Sequence, residues 1–134
     1  MYDIKELIQS CKDIKVLYVE DDVTVREQFH GLISIIFESI EMVVDGLEAI
    51  KKLEVNEYDL VITDISMPNV DGIELIEWIN NRIENQKIII TSAYDAKEYL
   101  MKSTVSNVDG HLFKPVNMNA LKEVLFKVAK DLKL

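Results

Sequence analysis

Four short apolar runs, each closing on a polar or charged residue, constrain this chain more than any other feature of it. They are "KVLYVE" (15–20), "YDLVITD" (58–64), "KIII" (87–90, followed by Thr91-Ser92) and "HLFK" (111–114), with a weaker fifth, "IEMVV" (40–44). Their lack of apolar-polar alternation reads as strands covered on both faces, as in a parallel sheet. Between them, Val25, Phe29, Leu32, Ile33 and Ile36 recur at helical spacing, as do Leu47, Ile50 and Leu53, and then Ile76, Ile79 and Ile83. Ala96, Tyr99 and Leu100 mark a weaker helix, and Leu121, Val124, Leu125, Val128 and Leu132 a final one with Asn117 as its N-cap. Strand and helix thus alternate five times, which predicts an α/β sandwich with right-handed crossovers.

Residues 1–13 precede this repeat. Ile4, Leu7, Ile8 and Cys11 share a helical face, and Asp3 and Glu6 are spaced as a capping pair. The expected organisation is an N-terminal helical extension over 1–13, packed on its own domain, and one domain over 14–134.

At 134 residues the chain is long enough for a single buried core, and 49% hydrophobic content with 4 Gly and 2 Pro argues against disorder. The net charge of −9 comes with no basic stripe, so direct nucleic-acid binding by this domain is not expected. A single cysteine, Cys11, excludes an intramolecular disulfide and suits a reducing compartment. No basic leader and no membrane-length apolar run is visible, so a cytoplasmic location off the membrane is expected.

The run ends carry the chemistry. In a parallel sheet Glu20-Asp21-Asp22, Asp64, Thr91-Ser92 and Lys114-Pro115 all emerge at one edge, where open α/β folds place their sites. Taken singly, an acid after a strand is usually a turn former or helix cap. Together they form a patch of carboxylates, a hydroxyl and an amine. Clustered acids stay ionised only beside a cation, and oxygen ligands without Cys or His favour Mg²⁺. A carboxylate is also a competent nucleophile towards phosphorus, and the added phosphoryl charge calls for a lysine and a hydroxyl donor nearby.

The motifs "VLYVEDD", "DLVITDISMPNVDGIEL", "IIITSAYD" and "GHLFKPV" together resemble the response-regulator receiver domains (CheY-like) of two-component signalling, from about Ile14 to the C-terminus. The resemblance implies a doubly wound, flavodoxin-like sheet of five parallel strands in the order 2-1-3-4-5, flanked by five helices, with the extra N-terminal helix added. The receiver fold is itself a standing example of that order. It implies that Asp64 accepts a phosphoryl group from a histidine kinase, a phosphotransfer protein or a small acyl phosphate. Glu20, Asp21, Asp64 and the backbone carbonyl of Ser66 would hold Mg²⁺, with Mn²⁺ as a substitute. Lys114 and Ser92 complete the catalytic group, and Ser92 with His111 would form the switch. Ser66 and Tyr94, two residues beyond Asp64 and Ser92, would set the lifetime of the phosphoryl group.

The chain would catalyse its own phosphorylation and dephosphorylation without a separate turnover substrate. A downstream partner or output domain would read the face running from about Asp95 to Leu132, and activation would favour a homodimer. Two positions depart from the family pattern. Glu20 stands where a shorter acid is common, and His111 where Tyr or Phe is commoner, which opens the switch to titration. Other readings are a degenerate receiver serving as a phosphorylation-independent interaction module, a haloacid-dehalogenase-type enzyme and an FMN carrier. Ser66 stands where the second would have an acid, and Glu20-Asp21-Asp22 would repel the phosphate of the third.

Overall fold

A computed structural model describes residues 3–93 and 108–132. In chain order the elements are α1 (Ile4–Cys11), β1 (Lys15–Val19), α2 (Val23–Ile33), β2 (Ser39–Val43) and α3 (Gly46–Val55). β3 (Leu60–Asp64), α4 (Gly72–Arg82), β4 (Lys87–Ala93), β5 (Gly110–Lys114) and α5 (Met118–Leu132) follow. The five strands form one parallel sheet in the order β2-β1-β3-β4-β5, the doubly wound arrangement implied by the motifs. The helix expected around Ala96, Tyr99 and Leu100 lies outside the described residues.

Two apolar layers sandwich the sheet, and strand alternation assigns residues to each. Val16 and Tyr18 of β1, Leu60 and Ile62 of β3, Ile89 of β4 and Leu112 of β5 pack with α1, α2 and α5. Leu17, Val19, Val61, Ile88 and Ile90 pack on the other side with α3 and α4. All five residues of β3 are buried, which explains why its sequence shows no alternation. β2 is an edge strand with only Val43 buried, and its apolar signal was correspondingly the weakest.

The differences from the sequence reading are local. β4 extends through Ala93, so Thr91 and Ser92 lie within the strand rather than after it. Leu47 is exposed, and α3 instead seats Ala49 and Leu53, because the short Ala side chain lets that helix approach the sheet. Ile36 is buried in the turn after α2, beyond the helix to which its spacing assigned it. At the start of α5 the Asn117 side chain accepts from the Ala120 amide at 2.8 Å, as an N-cap does.

The N-terminal helix is part of the core. Leu7 and Cys11 are fully buried in the layer shared with α2 and α5, while Ile8 of the expected apolar face is 36% exposed. Asp3 caps the helix by accepting from the Lys5 amide at 2.9 Å. Leu7→Ala is therefore expected to cost about 2–5 kcal/mol of folding stability, and Ile8→Ala under about 1 kcal/mol. Urea denaturation of the two variants measures both, and a near-neutral Leu7→Ala would place α1 outside the cooperative fold.

Candidate functional site

Adjacent strands deliver the first two acids side by side. β1 and β3 pair in parallel with Val19 opposite Thr63, so Glu20 and Asp64 leave the sheet together. Glu20 is 1% exposed and Asp64 7%, an unusual depth for carboxylates. Asp21 is exposed at the mouth. One carboxylate oxygen from each of Glu20, Asp21 and Asp64 lies within 4.8 Å of the others.

Lys114, the last residue of β5, supplies the counter-charge. Its Nζ donates to Glu20 Oε1 at 2.6 Å and lies 3.1 Å from Asp64 Oδ1. Burial raises the Glu20 carboxyl above the usual carboxylate range. The Lys114 hydrogen bond opposes that rise, and the charge of Asp64 adds to it. For Lys114 itself burial acts downwards, but the hydrogen bond to Glu20 and the charges of Asp64 and Glu20 outweigh it and hold the ammonium above its ordinary value. The three groups form one electrostatic unit.

The remaining acid of the Glu20-Asp21-Asp22 run has another task. Asp22 is the N-cap of α2, its carboxylate accepting from the amides of Thr24 at 2.9 Å and Val25 at 3.1 Å. The Asp22 amide donates to Glu20 Oε2 at 3.2 Å, so the capping turn also fixes the Glu20 side chain. Arg26, which the sequence reading did not single out, donates to the Glu20 carbonyl at 2.8 Å and the Asp21 carbonyl at 3.4 Å. Its position one helical turn past the cap was the available signal.

The loop after β3 is strapped at several points. Ser66 is exposed in this loop. Asn69 adopts a φ of 67°, the left-handed region, and its Nδ2 donates to Asp45 Oδ2 at 2.8 Å. The Gly46 amide donates to the Val70 carbonyl at 3.1 Å, and the Gly72 amide to the Ile65 carbonyl at 2.7 Å. A Cβ on Gly72 would overlap the Asp64 carbonyl oxygen, so only glycine lets α4 start this close to the end of β3.

Ser92 and His111 meet. Ser92, 1% exposed, lies 2.7 Å from His111 Nε2 through its Oγ, across the neighbouring strands β4 and β5. The hydroxyl is thus engaged by the histidine rather than aimed at Asp64. Tyr94 lies outside the described residues. The Lys114-Pro115 peptide is cis.

Carboxylate oxygens without His or Cys fit a hard divalent cation such as Mg²⁺, and the three acids are close enough to share one ion. Residues 16–126 match the family model of the response regulator receiver domain, and the chain belongs to that family. It is a signalling domain of the two-component type. Chemotaxis protein CheY-3 of Vibrio cholerae is 29% identical over 124 residues, 90% of this chain and 95% of that protein. Response regulator MprA of a Mycobacterium species is 30% identical over 86% of this chain and 49% of that protein. Among solved structures, the REC domain of AraT, a response regulator from Geobacillus stearothermophilus, superposes with a TM-score of 0.81 at 29% identity. That match covers 90% of this chain and 95% of the other.

The half-buried histidine has a consequence for stability. Burial lowers His111 below its ordinary value, so as pH falls the unfolded chain binds the proton first. Stability is then lost as pH drops through and below about 6.5, the unfolded value. His111→Phe is expected to lose less stability than the parent between about pH 7.5 and about pH 5.5. Urea midpoints at the two pH values measure the difference, and equal losses in both proteins would contradict it.

Proposed function

We propose that this chain is a phosphorylation-dependent switch in which Asp64 takes a phosphoryl group from a histidine kinase, a phosphotransfer protein or a small acyl phosphate. The observation that carries the reading is the Asp64 carboxylate itself. It is anchored at the end of a fully buried strand, 3.1 Å from Lys114 and grouped with Glu20 and Asp21. Residues 14–134 form the receiver and 1–13 its helical extension.

A carboxylate oxygen of Asp64 forms the new bond to phosphorus as the donor's P–N or P–O bond breaks and the leaving group departs. Positioning and electrostatics carry such transfers. Glu20, Asp21 and Asp64, with the Ser66 carbonyl, would hold Mg²⁺ or Mn²⁺, which when bound neutralises charge on the phosphoryl oxygens. Lys114 turns from its present carboxylate partners to the phosphoryl group, adding the second positive charge. Ser92 gives up His111 and donates its hydrogen bond to a phosphoryl oxygen, and the two residues thereby act as the switch. Ser66 and Tyr94 tune the lifetime of the phosphoryl group.

The changed Ser92–His111 pair biases the distal face between Asp95 and Leu132, where a downstream partner or output domain reads the state and a homodimer forms. Among the described residues no helix is long and apolar enough to cross a membrane, in keeping with a cytoplasmic site of action. No separate turnover substrate is required.

Intact-mass measurement after incubation with acetyl phosphate and Mg²⁺ tests the reading. The parent is expected to gain one phosphoryl adduct, Asp64→Ala none, and chelation of the metal to reduce the adduct strongly. An unmodified parent would instead mark a phosphorylation-independent interaction module. With Tyr94→Ala the adduct is expected to decay faster, and an unchanged decay would remove Tyr94 from the lifetime role.

A further inference from the structure

Strand β2 leaves one side of its backbone open. It pairs with β1 alone, in parallel with Val43 opposite Val19, and the Val43 carbonyl accepts from the Glu20 amide at 3.1 Å. Successive peptide groups of a strand point in opposite directions, so the amides of Ile40, Met42 and Val44 and the carbonyls of Ile40 and Met42 face away from β1. Among the described residues none of these groups meets a backbone partner. The side chains in the same alternation are apolar: Met42 and Val44 are each 41% exposed and Ile40 is half-buried. Edge strands are commonly blunted by lysine or proline, and residues 39–44 contain neither. Their one charge, Glu41, lies on the other face of the sheet with Val43, where Lys52 and Tyr58 engage it.

We propose that the open edge of β2 is an interface for a second copy of this chain, the two strands pairing antiparallel about a two-fold axis at Met42. A two-fold axis normal to the sheet keeps like faces together, so each register is centred on one residue. Charge selects among them. Centring on Glu41 sets its carboxylate directly against that of the other copy, and centring on Val43 sets Glu41 against Asp45. Centring on Ile40 sets Met42 against Glu38, outside the strand. Centring on Met42 opposes Glu41 to Val43 and brings Ile40, Met42 and Val44 of both copies together on one apolar face. In that register the amide and carbonyl of Met42 bond those of the other Met42, and each Val44 amide donates to the opposite Ile40 carbonyl. The strand is thus complementary to itself in backbone, apolar surface and charge. β2 and β5 are opposite edges of the sheet, so this contact is separate from the activation-linked dimer proposed for the distal face. The net charge of −9 on each copy opposes association, which salt screening therefore strengthens.

NMR translational diffusion and amide hydrogen exchange of the unphosphorylated full chain test the interface without reference to phosphoryl transfer. A monomer–dimer equilibrium is expected with a Kd of about 1 mM or tighter, and tighter still as salt rises from about 0.05 M to about 0.3 M. Exchange at the Met42 and Val44 amides should slow as protein concentration increases. Met42→Lys would set two ammonium groups against each other at the axis and should weaken the dimer at least about tenfold, whereas Met42→Leu should keep it. Met42 is exposed in the single chain, so thermal denaturation of dilute protein should find both variants folded. A monomer at about 1 mM, a dimer indifferent to Met42→Lys, or a dimer whose Met42 and Val44 amides exchange as fast as in the monomer would each overturn the proposal.

Discussion

Glu20 and Asp64 end neighbouring buried strands, and the parallel pairing of β1 with β3 leaves them no room to separate. Removing a carboxylate from water costs several kcal/mol, and two together add their mutual repulsion. Lys114 offsets this from a strand two places from β3 and three from β1 in the sheet, and 94 residues from Glu20 in the chain. The sheet holds the acids, the lysine neutralises them, and neither arrangement is stable alone. The same strain suits the site to a divalent ion, which could take over part of the charge balance that Lys114 now provides.

That balance depends on the loops being held as firmly as the strands. Asp22 caps α2 and fixes Glu20, Arg26 grips the Glu20 and Asp21 carbonyls, and Asn69 ties the loop after β3 to the start of α3 through Asp45. Glycines 46 and 72 permit the close approaches that bring two helix starts against this loop. The acids are thus positioned by backbone geometry and caps, with little dependence on their own rotamers.

Most of the fold could be read from the chain because the parallel sheet is buried on both faces. β1, β3 and β4 therefore stand out as unbroken apolar runs. The weaker signal of β2 follows from its place at the edge. Leu47 shares the helical spacing of Ile50 and Leu53 yet is exposed, because packing selects the face carrying Ala49 and Leu53. Asp22 looked equivalent to its two acidic neighbours, yet its place at the start of α2 makes it a cap. The Asp45–Asn69 tie left no trace in local pattern, since it depends on two segments meeting.

By itself the sequence determined the strand-helix alternation, the polar residues that close each strand, and the family to which such motifs belong. Those properties are local: periodicity, caps and residue type at a given spacing. Tertiary structure decided which groups touch. It joined Lys114 to Glu20 and Asp64, turned Ser92 to His111, and seated Leu7 and Cys11 in the core. Contact between distant residues is a consequence of sheet order and register, and no short stretch of chain encodes it.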